Sequence, residues 1–340
     1  MILLIMKVIK IKKIINSIFI KYGLSSKDSL ICVNALINAE LVGAPSHGLS
    51  RLKMYCDRIS KKVINPKAKI KVKKISQSIA HVDGNNSIGF VAADTAIKTA
   101  IGNAKKTGIG LVAVKNSGHY GLSSFYAEQA VKKNLMVWCF TNAPPALAPY
   151  GARKALFGTN PVCFGAPTGK SPFILDMSTS MINRGKIRRA AKLGESIPHG
   201  VAMDKFGKIT TNAEQALLGT QLPIAGFKGS GLAWMVDILS GVLTGSSHGG
   251  KTKDPFDDFT GPQNIGHLFI TINPTIFIGK NYLKEIKKNI SLVKKLPKAK
   301  GFSNIFYPGE RKNKTYKKNL NKNILIPSII LDEMEKLNAN

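Results

Sequence analysis

The sequence predicts a mixed α/β protein with a helical N-terminal lobe. Three observations lead there. Residues 14–61 carry only helical spacing of apolar side chains. From residue 68 onward, short strand-like runs alternate with longer amphipathic stretches. The chain has 340 residues, 44% of them hydrophobic and 20% charged, which gives room for one large unit and excludes wholesale disorder.

The elements follow in order. Residues 14–42 read as helix, turn, helix, with Ser25, Ser26 and Asp28 as candidate N-caps for the second helix. After Pro45, Ser46–Lys61 reads as a helix with Leu49, Leu52, Tyr55 and Ile59 at helical spacing. Residues 68–83 alternate and predict two strands. An Ala-rich helix over 88–106 stops at Gly108. Strands at 109–115 and 135–141 flank a helix at 121–133, and strands at 161–166 and 172–177 sit inside a Gly/Pro-rich region. Helices are predicted at 181–193, 213–219 and 230–244, the last of them buried. A strand at 266–273, a basic helix at 281–295 and one short terminal helix complete the chain. The first six residues are expected to be an extension outside the fold.

Charge is the unusual feature. Lys+Arg number 50 against 19 Asp+Glu, a formal net charge of +31. Only seven of the basic residues are arginine, the type suited to bidentate phosphate recognition. The chain is also rich in Ile and Asn, as A·T-biased codons would make it. Nucleic acid is therefore not the expected partner, although the Lys-rich 281–322 stretch keeps a basic nucleic-acid-binding protein as the non-enzymatic alternative. Cys32, Cys56, Cys139 and Cys163 lie in apolar stretches without CxxC spacing, which predicts buried thiols in a cytoplasmic protein. No signal peptide is evident. The uncharged run 134–152 holds three prolines that a membrane-spanning helix tolerates poorly, so no membrane is expected.

Several residues could carry chemistry. His47 and Arg51 are four apart, which on a helix places them on one face. A guanidinium beside a proton donor suits a 2-oxo or 2-hydroxy carboxylate. The plain alternative is a capping Ser46 with surface side chains. His119 lies between glycines at a strand end and is either a cleft residue or a loop histidine bonded to a carbonyl. Asp176 closes a strand before Met177 and Ser178, where it could hold a ribose or simply cap a helix. Lys228 stands in a glycine-rich turn entering a helix, which suits a phosphate or a solvent-facing side chain. No GxGxxG follows a strand, and no convincing metal-ligand spacing is found.

Taken together, the motifs resemble one family. Ser46-His47-Gly48 with Arg51, Asn116-Ser117-Gly118-His119, Gly158-Thr159-Asn160-Pro161, Leu175-Asp176-Met177-Ser178, Arg184-Gly185-Lys186-Ile187, Ile197-Pro198, Lys228-Gly229-Ser230-Gly231-Leu232, Pro262-Gln263-Asn264-Ile265-Gly266-His267 and Pro308-Gly309-Glu310-Arg311 occur in the order found in malate/L-lactate dehydrogenase-like proteins. Relatives there include ureidoglycolate, sulfolactate, diketogulonate and piperideine-2-carboxylate reductases.

The resemblance implies a non-Rossmann, mixed-sheet NAD(P)-dependent dehydrogenase, usually a homodimer, acting on a small 2-oxo/2-hydroxy acid. A cyclic imine reductase of the same fold is the alternative. It assigns catalysis to His47 or His119 and the substrate pocket to Ser46, Arg51 and Tyr55. Cofactor contacts fall on Asn142, Gly158, Thr159, Asn160, Asp176, Met177, Ser178, Thr179, Ser180, Phe227, Lys228, Gly309 and Glu310. The expected division is a lobe of residues 1–75 packed with 280–340, and a cofactor-binding α/β region of residues 76–279. Glu40, His199 and Ser230 stand where the family commonly has Asp, Glu and Tyr, which bears on substrate choice and cofactor geometry.

Overall fold

A computed structural model describes residues 3–320 and 323–339. The strands are β1 (Leu3–Met6), β2 (Lys71–Lys74), β3 (Ile79–Asp83), β4 (Ile109–Ser117), β5 (Met136–Thr141), β6 (Val162–Ala166), β7 (Phe173–Met177), β8 (Ala202–Met203), β9 (Thr220–Gln221), β10 (Ile265–Ile272) and β11 (Ile324–Pro327). The first six helices are α1 (Val8–Lys21), α2 (Ser26–Leu41), α3 (Leu52–Ser60), α4 (Gly89–Thr107), α5 (Ser123–Val131) and α6 (Arg184–Leu193). The others are α7 (Ala213–Leu218), α8 (Phe227–Asp237), α9 (Thr275–Ile278), α10 (Asn281–Lys295), α11 (Glu310–Leu320) and α12 (Ser328–Ala339).

Seven strands form the central sheet in the order β2-β3-β4-β10-β5-β6-β7. Only β3 and β4 run parallel, joined by α4; every other neighbouring pair is antiparallel. That pattern is mixed, and it differs from the mostly parallel dinucleotide-binding sheet. Alternation sorts the faces. Val112, Val114, Val137 and Phe269 pack under the alanines of α4 and under α5. Leu111, Ala113, Trp138, Leu268 and Ile270 lie on the opposite face, against Val236 of α8.

The helical lobe grows from the same physics at a period of 3.6. Ile11, Ile15, Ile18 and Phe19 form the buried stripe of α1, and Ser25 caps α2 by accepting from the Asp28 amide at 3.1 Å. They join Leu36, Leu52 and Tyr55 in one core with Met334 and Leu337 of α12.

Three expectations are corrected. The start of the chain is part of the fold: β1 pairs antiparallel with β11, a partner from the far end of the sequence that no local pattern reveals. The C-terminal region holds two helices and a strand instead of one short helix. The apolar helix predicted at 230–244 begins at Phe227, passes into a π turn at Ile238–Val242, and is not buried. One side of it lies on the sheet, while Trp234 is 59% exposed and Leu243 58% exposed. Composition alone cannot distinguish burial within a chain from an apolar face left open to solvent. No described helix is long and apolar enough to cross a membrane.

Candidate active site

His47 and Arg51 do not share one regular helix. Ser46 and His47 belong to a 3₁₀ turn (Pro45–His47), Arg51 ends a second one (Leu49–Arg51), and Gly48, with φ -101° and ψ -134°, separates them outside helical geometry. The cause is Glu40 of α2. Its Oε1 accepts from the Leu49 amide at 2.7 Å, and a Cβ on residue 48 would sit 2.1 Å from that oxygen. Burial raises the Glu40 carboxyl above its usual range, and the Leu49 N–H opposes that rise. The chain then turns back, and Arg51 Nε donates to the Ser46 carbonyl at 2.7 Å. The guanidinium lies over the Phe256 ring, 4.8 Å from its centroid.

His119 arrives from the sheet. The loop after β4 is held by the Pro262–His267 segment, a motif visible in the sequence to which no role was assigned. Asn264 Oδ1 accepts from the Asn116 amide at 3.1 Å, and Gln263 Oε1 accepts from the His119 amide at 3.2 Å. His267 lies between the hydroxyls of Thr141 and Ser117, 2.8 Å from each, and stacks at 4.4 Å against Tyr120. Gly89 allows the close approach, since a Cβ there would stand 2.2 Å from the Gly118 carbonyl oxygen.

The two segments meet as an imidazole pair. The His47 and His119 rings stack at 5.9 Å with 23° between their planes. Tyr55, 1% exposed, places its hydroxyl 2.6 Å from His119 Nδ1, and Ser46 Oγ lies 3.1 Å from His47 Nδ1. Neither Nε2 has a hydrogen bond among the described residues. Burial, then the Arg51 charge, pushes His47 down to about 4, with Asp176 pulling the other way. Burial, then Arg51, drives His119 well below the usual histidine range.

Asp176, at the end of β7, accepts from the Ser124 amide at the start of α5 (3.1 Å) and lies 3.6 Å from Lys312 Nζ. Beside it is a cavity of about 350 Å³ lined by Ser124, Lys132, Lys170, Ile174, Gly309 and Lys312. The Lys312 charge also reaches His47, so cavity and imidazole pair are electrostatically connected. Lys312 had no distinguishing signal among so many lysines.

Other site candidates are committed to holding loops. Asn142 donates to the Ser247 carbonyl and accepts from the Gly266 amide. Asn160 accepts from the Ala143 amide and donates to the Ala233 carbonyl. Gly158 presses on Ala143, where a Cβ would be 2.4 Å from the carbonyl oxygen. Thr179 donates its hydroxyl to the Thr159 carbonyl, and Ser180 donates to that of Ile182. Met177 and Ser178 remain partly exposed. Phe227 and Lys228 are exposed at the start of α8, after a loop whose Ile224 amide donates to the Thr179 carbonyl. Glu310 is buried and pairs with Lys294 at 2.7 Å and Lys314 at 3.5 Å, fastening α10 to α11.

The sequence matches the malate/L-lactate dehydrogenase family model over residues 6–335. The chain belongs to that family. It is 33% identical over 328 residues to the malate/(S)-sulfolactate dehydrogenase of Methanothermus fervidus, covering 96% of this chain and 93% of the relative. It superposes on the sulfolactate dehydrogenase of Methanocaldococcus jannaschii with a TM-score of 0.92 at 34% identity, covering 98% of this chain and 96% of the other. The δ1-piperideine-2-carboxylate reductase of Pseudomonas syringae aligns with a TM-score of 0.89 at 26% identity, over 98% of this chain and 99% of the other. This family member is thus an NAD(P)-dependent oxidoreductase of the 2-hydroxy-acid dehydrogenase type.

Two desolvated histidines, His267 buried and His47 partly so, couple stability to acidity. His47 and His267 are held at about 4 and about 3 against 6.5 when exposed. The native state stays neutral at both while the unfolded chain takes up protons. Their contribution is therefore complete above pH 6.5 and is lost as pH falls toward those values, at about 1.4 kcal/mol per pH unit for each histidine. Thermal unfolding should show Tm falling from pH 6.5 to pH 4, and His267→Gln should flatten that fall. A flat wild-type profile would contradict the assignment.

Proposed function

We propose that this dehydrogenase moves hydride reversibly between NAD(P)H and C2 of a small 2-oxo/2-hydroxy carboxylate at the His47–His119 pair. The observation that carries the reading is the stacked pair of neutral imidazoles beside Arg51. The 350 Å³ cavity fits the cofactor's chemistry, because Lys132, Lys170 and Lys312 on its wall suit phosphate oxygens. Lys312, Gly309 and the Asp176–Ser180 loop would hold the group. When bound, it supplies the hydride.

The chain's own residues do the rest. Arg51 takes the substrate carboxylate and fixes the face that C2 presents. His47 donates the proton to the carbonyl oxygen, and His119, oriented by Tyr55, holds that oxygen in place. His47 is the donor favoured here because Asp176 opposes the fall of its pKa, a counterweight not found for His119. A substrate carboxylate on Arg51 offsets the second cause of His47's low pKa, after burial, and so favours proton uptake with the anion. Burial removes water that would otherwise compete at the oxygen.

His47→Ala should lower 2-oxo-acid reduction by about 10²–10⁴-fold, with a smaller loss for His119→Ala. Near-normal rates in both variants would end this scheme. Proton uptake has its own signature. The affinity for oxamate, an unreactive 2-oxo-acid analogue, should rise as pH falls toward about 4, the free-state His47 value, because the bound state holds the more basic histidine. A pH-independent affinity would remove the coupling. A panel adding cyclic imines separates the piperideine-2-carboxylate type of activity, which the similarity to that reductase keeps in view.

The open face of α8 supports a homodimer. Phe227, Trp234, Ile238, Val242 and Leu243 form an exposed apolar surface that a second copy would cover across a two-fold axis. Trp234→Glu should convert a dimer to a monomer in light scattering after size exclusion. A wild-type monomer would refute the assembly. The four buried free thiols suit a reducing, cytoplasmic setting.

A further inference from the structure

We propose that the outer face of α10 is a docking surface for an anionic phospholipid bilayer, on which the enzyme rests without inserting a span.

α10 has no buried residue along its 15 positions. Tyr282, Leu283, Ile286 and Ile290 are half-buried and form its inner side. At 3.6 residues per turn, Leu292 and Leu296 come round to the opposite side, one turn apart. They are 59% and 57% exposed. Lys288 precedes Leu292 by one turn and Lys295 flanks both leucines on the same side, each of them exposed. Phe302, six residues beyond Leu296, is 69% exposed. Apolar side chains on the outer side add nothing to the core of this chain.

Charge is concentrated on the same element. Residues 280–300 hold eight lysines, no arginine and a single carboxylate, Glu285. At the chain-wide share of 50 Lys+Arg in 340 residues, a stretch of 21 would hold about three, so a bias spread over the whole chain does not account for the cluster. Of the eight, Lys294 alone forms an ion pair among the described residues, with Glu310 at 2.7 Å. Lys294 also lies 5.5 Å from the centre of the Tyr307 ring, so it holds the end of α10 to the body and leaves the other lysines to solvent.

A bilayer with acidic headgroups answers both features. Lipid phosphates meet the ammonium groups, the acyl boundary takes Leu292, Leu296 and Phe302, and the lysine stems lie along the apolar surface. A second copy of the chain fits poorly, because a two-fold contact here would set lysines against lysines. A nucleic acid would answer the charge alone, and the aromatic ring of α10, Tyr282, is on the inner side. The position leaves catalysis free. β10 runs from Ile265, paired with Ser117, to Ile272, paired with Ile109, so α10 starts from the end of the sheet remote from His119.

The test is co-sedimentation of the whole protein at low salt with vesicles of phosphatidylglycerol and phosphatidylcholine in equal parts, against vesicles of phosphatidylcholine alone. The wild type should pellet with the first and stay in solution with the second. Leu292→Ser/Leu296→Ser should weaken binding at least about 10-fold, and Lys288→Gln/Lys295→Gln about 10- to 30-fold. Both double variants should unfold at the wild-type temperature, because none of these side chains packs in the core. A wild type that ignores phosphatidylglycerol overturns the proposal, as does binding that the leucine changes leave intact. Duplex DNA binding that the lysine changes weaken and the leucine changes do not, without vesicle binding, assigns the face to nucleic acid and overturns it too.

Discussion

The hydrogen bond between the Tyr55 hydroxyl and His119 Nδ1, 2.6 Å long, fastens the two halves of the site. Tyr55 belongs to α3 in the helical lobe, and His119 to the loop that ends β4 in the sheet. Tyr55 is buried and His119 partly so, and a shift of one lobe would strand the Tyr55 hydroxyl in an apolar seam. Tyr55 also packs on Phe90 of α4 at 5.0 Å, which ties the bond to the parallel β3-α4-β4 unit. Everything chemical lies within reach of this joint. His47 and Arg51 stand on the turns that lead into α3, and His119 is the residue the joint aims.

Much of the fold was legible because its signals are local. The alanine stripe of α4, the stop at Gly108 and the alternation in β3 and β4 are consequences of helix and strand periods. The histidines and Arg51 stood out by residue type, and the structure brings them together. What escaped was non-local. The break at Gly48 depends on a carboxylate eight positions earlier, on another helix. Gln263, Asn264 and His267 stand in a visible motif, but their task is to hold a loop that the sequence places far away. Phe256 carried no sign that it would support Arg51.

The charge of the chain reads differently with the site in view. The imidazoles are neutral, and the charge that acts on them most is that of Arg51, from the scarce basic type, with Lys312 contributing less. Arginine keeps its charge in a half-buried setting where a lysine would tend to lose it. The abundant lysines lie mostly on the surface, where they raise the potential that draws anions inward. Arginine thus serves the imidazole pair, while lysine serves both the cavity wall and the surface field.

Arg58 adds something that the chemistry does not require. It is fully buried, and its guanidinium donates to the carbonyls of Asp254, Pro255, Asp258 and Gly261. Arg58 therefore holds the loop carrying Phe256 through its backbone, while Asp254 and Asp258 brace its turns by accepting from the Phe256 and Thr260 amides. Side chains other than those two aspartates can change without losing the backbone bonds to Arg58. The wall facing the substrate is then free to drift while the scaffold stays put, a route by which one architecture can be retuned among acids at little cost to folding.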